Sequence, residues 1–272
     1  MTNFKLRNYQ QEASVQGVDV LKKYKILILN FQVRTGKTHI ALDIAKHYSN
    51  VLFVTKKKAI GSIEKDYITA NHTFNITIIN YESLHKVKGN FDLVIADESH
   101  SLGAFPKPSK RTKMLRSFVN NDLILMTGTL LPESNSQIFH QLWISPFTPF
   151  KQFANFYKFF NVLGVPEIIY TSYGQSKSYK NLPYERISKV IEPMKLTYTQ
   201  EEAGFSSTIS EHVIDIDMLP VSYDLINRLK RDLVLEGNDE VVLADTSVKL
   251  MQKVHQLSSG TVKFESGKSK II

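Results

Sequence analysis

Two stretches carry side chains that do chemistry only in company. The first is Thr35-Gly36-Lys37-Thr38. A glycine in a turn, then an ammonium and a hydroxyl where a helix opens, make a receptor for phosphate. Loop N–H groups and the helix N-terminus face the anion, Lys37 adds positive charge, and the Thr38 hydroxyl reaches toward a magnesium ion. The second is Asp97-Glu98-Ser99-His100. Beside a bound nucleotide, adjacent carboxylates divide two tasks: Asp97 serves the metal and Glu98 the attacking water. His100 has no second His or Cys at ligand spacing, which speaks against zinc. Its expected partners are the phosphates, or Thr127 and Thr129. Thr127-Gly128-Thr129 is suited to coupling hydrolysis to movement. One position departs from the phosphate-loop pattern: five residues before Gly36, where that pattern has glycine, stands Phe31. A basic turn opening an ordinary helix is the competing reading of the tripeptide. The amphipathic set Ile40, Ala41, Ile44 and Ala45 after it, and the apolar run before it, favour phosphate.

These residues need elements to hold them. Short apolar runs at 25–30, 51–55, 76–79, 91–96 and 123–126 read as strands, with helices over 11–23, from Lys37, and over 59–67, 81–87 and 112–119. Strands without polar alternation, separated by helices, mean an α/β fold: a parallel sheet covered by helices on both faces. Ligands in such sheets bind at the carboxyl ends of the strands, and the polar signatures follow strand ends. Beyond Ser136 the character changes. A helix is expected over 137–143 and another over 150–160. In the latter, Phe150, Phe153, Phe156 or Tyr157, and Phe160 fall at helical spacing, so core packing is preferred to base stacking. A loop over 170–181, strands at 187–191 and 212–218, and helices over 222–235 and 241–257, the last broken near Asp245, complete the reading. The polar tail after Ser258 has no closing element, and the chain is expected to be part of something longer.

Composition sets broad limits. The chain has 272 residues, 42% hydrophobic and 22% charged, with no cysteine. Disulfides and thiolate metal sites are excluded. No apolar run approaches the roughly 18 residues of a membrane span, and the N-terminus has no signal core. No membrane partner is expected, and the expected compartment is the cytoplasm, or the host cytoplasm for a phage-encoded protein. The net charge of +8 attracts polyanions, nucleic acid foremost. Lys56-Lys57-Lys58, after a strand end, is a candidate for phosphate-backbone contacts, whereas 107–113 reads as a solvated loop.

The order of these motifs resembles the first RecA-like domain of a superfamily 2 helicase, nearest the SNF2-like translocases and related phage helicases. Leu6-Arg7-x-Tyr9-Gln10 resembles that group's adenine-recognition motif, and 32–38 its motif I. Val54-Thr55-Lys56 resembles motif Ia, Ile79-Asn80-Tyr81-Glu82 the next strand-end motif, Asp97-Glu98-Ser99-His100 motif II, and 125–129 motif III, with Leu130 and Leu131 intervening before Pro132. The resemblance implies a RecA-like P-loop domain over 1–145, a mostly helical insertion and linker over 146–258, and the start of a second RecA-like domain over 259–272. It implies ATP and Mg2+ as cofactors. Arg7, Gln10, Arg34, Thr35, Gly36, Lys37, Thr38, Asp97, Glu98 and His100 would bind them, with Thr38 and Asp97 at the metal and Lys37 and Glu98 catalytic. Thr55, Lys56, Lys57 and Tyr81 would meet nucleic acid, DNA being favoured, and Thr127, Gly128 and Thr129 would couple the two. The family's arginine finger, in a Gln-x-x-Gly-Arg-x-x-Arg context, is absent. A second RecA-like domain, in cis or in trans, is therefore expected to complete hydrolysis; such a finger contributes about 10³ to 10⁵ in rate in other phosphoryl-transfer enzymes. A scaffold gated by ATP that never translocates is the alternative. A small-molecule kinase is disfavoured, because it gives Asp-Glu-Ser-His and Thr-Gly-Thr no role.

Overall fold

Runs that are apolar at nearly every residue have two faces to bury, and four of the six strands of one parallel sheet do so here. The computed structural model describes residues 4–171, 174–205, 212–237 and 240–272, which divide into two units, Met1–Ser207 and Thr208–Ile272. In the first unit, α1 (Asn8–Tyr24), β1 (Ile26–Phe31), α2 (Lys37–Ala45), β2 (Asn50–Thr55), α3 (Ile60–Thr69) and β3 (Asn75–Asn80) come first. They are followed by β4 (Leu93–Asp97), α4 (Lys110–Arg116), β5 (Asp122–Thr127) and α5 (Ile138–Trp143). The unit continues with α6 (Phe156–Leu163), the hairpin β6 (Glu167–Thr171) and β7 (Gly174–Ser178), α7 (Glu185–Ile191) and β8 (Lys195–Tyr198).

The sheet order is β3-β2-β4-β5-β1-β8, and every pairing in it is parallel. All six carboxyl ends therefore lie along one edge. Alternate residues of each strand serve opposite cores. Ile26 and Ile28 join one with Leu123, Leu125 and Phe139, and Leu27 and Leu29 join the other with Ile40, Ile44 and Phe53. This two-sided burial is the reason for the unbroken apolar runs.

Several expectations are corrected. Residues 187–191 form the end of helix α7, not a strand, with Ile187 and Ile191 both buried. The aromatic helix starts at Phe156, six residues later than expected, because Asn155 caps it; Phe150, Phe156, Phe159 and Phe160 are buried as core all the same. The expected loop at 170–181 contains most of the β6–β7 hairpin. Strand β8 has no counterpart among the expected elements.

In the second unit, α8 (Pro220–Asp232) and α9 (Ser247–Ser258) accompany two hairpins, β9 (Val234–Glu236) with β10 (Val241–Leu243), and β11 (Thr261–Lys263) with β12 (Ser269–Ile271). The expected helix over 241–257 is thus a strand followed by a helix that Thr246 caps, and the tail is a hairpin. Residues 212–218 do not form the expected half-buried strand: they pair with nothing among the described residues, and Val213, Ile214 and Ile216 are exposed. No helix is long and apolar enough to cross a membrane.

Candidate functional site

The loop between β1 and α2 is shaped by hydrogen bonds to its carbonyls. Lys37 Nζ donates to Phe31 O (2.7 Å) and Gln32 O (3.1 Å). Gln200 Nε2 donates to Val33 O (2.9 Å). Tyr9 Oη and Gln10 Nε2 both donate to Thr35 O, at 2.8 and 3.2 Å. With the carbonyls so engaged, none of the described residues accepts from the backbone N–H groups of Gly36, Lys37 or Thr38. Unshared N–H groups at the head of a nine-residue helix make an anion receptor. Phe31 can replace the usual glycine because it is still strand, paired with Tyr198. The left-handed turn falls on Arg34 (φ 66°) and Gly36 (φ 78°) instead. Gly36 is favoured by that φ, and a Cβ there would lie 2.3 Å from Gln10 Nε2, so the tip of that side chain would have to move.

Across the edge, Asp97 is the last residue of β4. Thr55 Oγ1 donates to its Oδ2 (2.7 Å), and the Glu98 N–H donates to its Oδ1 (3.0 Å). The Tyr81 hydroxyl donates to the Asp97 carbonyl (2.6 Å). Glu98 is left-handed (φ 52°), which costs a side-chain-bearing residue about 1–2 kcal/mol and turns the chain sharply out of the strand. Its carboxylate sits 3.1 Å from Lys56 Nζ and 3.5 Å from His100 Nδ1. His100 Nδ1 is also 3.0 Å from Thr127 Oγ1, whose one proton goes to Thr129 O (2.9 Å). His100 is therefore the donor, with its proton assigned to Nδ1. Burial raises the Asp97 pKa above its ordinary value, with the Glu98 charge adding to the effect against the Thr55 hydrogen bond. Burial lowers that of Lys37, with Asp97 and Glu98 opposing.

One cavity of about 390 Å³ is lined by Gln32, Val33, Lys37, Asp97, Glu98, Gly128, Thr129 and Gln200. A larger cavity of about 800 Å³ lies in the second unit, walled mostly by apolar side chains such as Leu225, Leu257 and Phe264. It contains none of the residues expected to act. A hard divalent cation fits the smaller one. Each Asp97 carboxylate oxygen accepts one hydrogen bond and keeps a lone pair, and a cation would relieve the cost of burying that charge. Among the described residues no group of three His, Cys, Asp or Glu could cage a metal. That suits magnesium, which takes one or two carboxylates together with substrate phosphates.

The structure gathers Lys37, Asp97, Glu98, Gly128 and Thr129 around this cavity, with His100 bonded to Thr127 just behind. Thr35 is buried, and Thr38 lies in the first turn of α2. Gln10 is buried and turned onto the loop, while Arg7 is exposed with its guanidinium 5.0 Å from the Phe205 ring. Arg34 is exposed. The four residues expected to meet nucleic acid separate. Lys56 and Lys57 are at the surface, but Thr55 is 0% and Tyr81 3% exposed. The hydroxyls of those two are spent on Asp97, which removes both side chains from any surface a phosphate backbone could touch. Two contributors went unforeseen. Gln200 reaches the loop from 168 residues beyond Gln32, and Tyr198 stacks on Tyr9 (4.6 Å, 9°). A four-residue edge strand and an isolated glutamine offer no signal in the sequence.

These features define the class: a RecA-like α/β fold of six parallel strands, with its polar residues at the carboxyl edge. No protein-family model and no curated protein sequence matches the chain. Among solved structures it is similar to the Sulfolobus solfataricus SWI2/SNF2 ATPase core in complex with dsDNA, with a TM-score of 0.57 and 15% identity. The match covers 93% of this chain and 58% of that one, so this chain spans little more than half of its neighbour's length. At that identity the likeness is one of fold.

Proposed function

We propose that this chain is the ATP-binding half of an ATP-dependent helicase or translocase acting on nucleic acid, DNA in preference to RNA. One observation carries the reading: Lys37, Asp97, Glu98 and the Gly128-Thr129 turn, from two strand ends and a helix start, face one cavity. Nothing in an ordinary helix cap calls for a half-buried carboxylate and a half-buried ammonium lining the same cavity.

The geometry supports the following roles. The N–H groups of Gly36, Lys37 and Thr38 receive the phosphates, and Lys37 exchanges its loop carbonyls for phosphate oxygens. Asp97, held by Thr55 and the Glu98 N–H, and the Thr38 hydroxyl would hold a magnesium ion, which would neutralise developing phosphate charge. Glu98, aimed by its left-handed backbone, orients the attacking water. His100 reports on Glu98 to Thr127 and Thr129. The basic Lys56 and Lys57, at the end of β2, would meet the nucleic-acid backbone, which would make binding salt-sensitive and nearly indifferent to sequence. Among the described residues that line the cavity none is arginine, which supports the need for a second RecA-like domain, in cis or in trans. That the neighbouring ATPase core is bound to dsDNA supports the choice of DNA.

The test is ATP binding and hydrolysis by this chain with and without duplex DNA, beside Lys37→Ala. Binding that depends on Lys37, with little turnover until a second RecA-like domain is supplied, is the expected result. Strong DNA-stimulated turnover by this chain alone would refute the half-site reading. DNA binding that ATP modulates without any turnover in the completed protein would make it a gated scaffold.

A further inference from the structure

The phosphate loop is fastened from outside by the last strand of its sheet. Strand β8 pairs Tyr198 with Phe31, and the Gln32 N–H donates to Tyr198 O (3.0 Å). Two residues on, the chain returns to the loop. The Gln200 N–H donates to Gln32 Oε1 (2.8 Å), and Gln200 Nε2 donates to Val33 O (2.9 Å). The Gln32 side chain thus fastens the backbone of Gln200, and the Gln200 side chain fastens the backbone of Val33.

The turn that presents Gln200 is itself rigidly tied. Glu202 accepts from the Thr199 N–H (2.7 Å) and hydroxyl (3.0 Å), and the Glu202 N–H donates back to Thr199 Oγ1 (3.1 Å). The Phe205 N–H closes the turn on Gln200 O (3.0 Å). On the other side of the clasp the loop is exposed at Gln32, Val33 and Arg34 and left-handed at Arg34. An exposed loop with an unfavourable φ relaxes unless something holds it.

We propose that Gln200 is a positioning residue for nucleotide binding: with Gln32 it fixes the 33–34 peptide so that the loop's N–H groups are aimed before nucleotide arrives. This rests on reading the loop as a nucleotide cradle. Gln200 acts through the loop and not on the phosphates. It should therefore serve the phosphates that ADP and ATP share, with no preference for the γ-phosphate.

The experiment is a double-mutant cycle on this chain, Gln32→Ala, Gln200→Ala and both, with Lys37→Ala as control. Affinity is read with ribose-labelled fluorescent ADP and ATP, and melting temperature beside it. Each single change should weaken both nucleotides about two- to tenfold, the equivalent of one ordinary hydrogen bond. The double variant should be no weaker than the weaker single, because the two changes open the same clasp. Melting should be nearly unchanged, since both hydrogen bonds are exposed.

A loss confined to ATP would make Gln200 a γ-phosphate contact, and additive losses would mean the two glutamines act independently. Unchanged affinity in all three would show the loop holds its shape unaided. Each of these overturns the proposal while leaving the cradle intact. Wild-type affinity in Lys37→Ala is the one result that would remove the cradle reading itself, and this inference with it.

Discussion

Asp97 and Lys37 stand in the same cavity with their titrations displaced in opposite senses, both by burial. A raised carboxylate pKa means that ionising Asp97 costs more folded than unfolded. Its contribution to stability is fully present below the ordinary value of 3.8 and is lost as pH rises through the folded value. Asp97→Asn removes that cost at neutral pH. Its carboxamide oxygen still accepts from the Glu98 N–H, and the Thr55 hydroxyl turns to accept from its amide. The variant should melt higher at pH 7, by about 2–4 °C if the gain is near 1 kcal/mol, and the advantage should shrink as the pH is lowered toward 3.8. Magnesium-dependent nucleotide binding should weaken in the same variant. Melting scans across pH, paired with nucleotide titration, check both; an advantage that persists undiminished in acid would show that burial of the charge is not its source.

Helix α5 carries a second titratable group, away from the cavity. His140 is 3% exposed, with Nδ1 2.6 Å from Ala104 O. Burial lowers its pKa from 6.5 to about 4, although the Ala104 carbonyl opposes the shift. A depressed value for a base gives stability that is present above 6.5 and lost as pH falls through about 4. The loss should amount to roughly 3 kcal/mol at most, at 1.36 kcal/mol per unit. Denaturant unfolding between pH 7 and 4 should show it, and His140→Gln, which keeps a donor for Ala104, should flatten that part of the profile. The contrast among elements also shows what the chain announces in its letters. Strands β1, β2, β4 and β5 each carry an unbroken apolar run and are visible at once, as are Gly36-Lys37-Thr38 and Asp97-Glu98 at or beyond their ends. Ile187 and Ile191 mislead because a spacing of four satisfies strand and helix alike. Residues 212–218 mislead because alternation describes a strand only where a neighbouring strand exists to pair with it. Strand β8 is hidden because four residues at a sheet edge, partly buried, carry neither period for long enough. Gln200 is hidden because its role exists only once β8 has docked.

At the scale of the molecule, every residue lining the candidate cavity lies between Gln32 and Gln200, inside the unit Met1–Ser207. A fragment of residues 1–207 should therefore bind nucleotide as the whole chain does. A fragment stopping at residue 190 retains Lys37 and Asp97 but lacks β8 and Gln200, and it should bind far more weakly. Equal affinity of the two fragments, each shown to be folded by circular dichroism, would deny β8 any part in the site. The fastening of the loop by β8 also orders events in time. The loop between β1 and α2 is made with roughly the first 40 residues, yet the clasp proposed for it needs a partner 168 positions later. Contacts of such separation form late, because the intervening chain must be ordered first. The nascent chain would thus carry Gly36-Lys37-Thr38 through most of its synthesis with the loop unclasped, and fasten it only when the sheet's last edge closes.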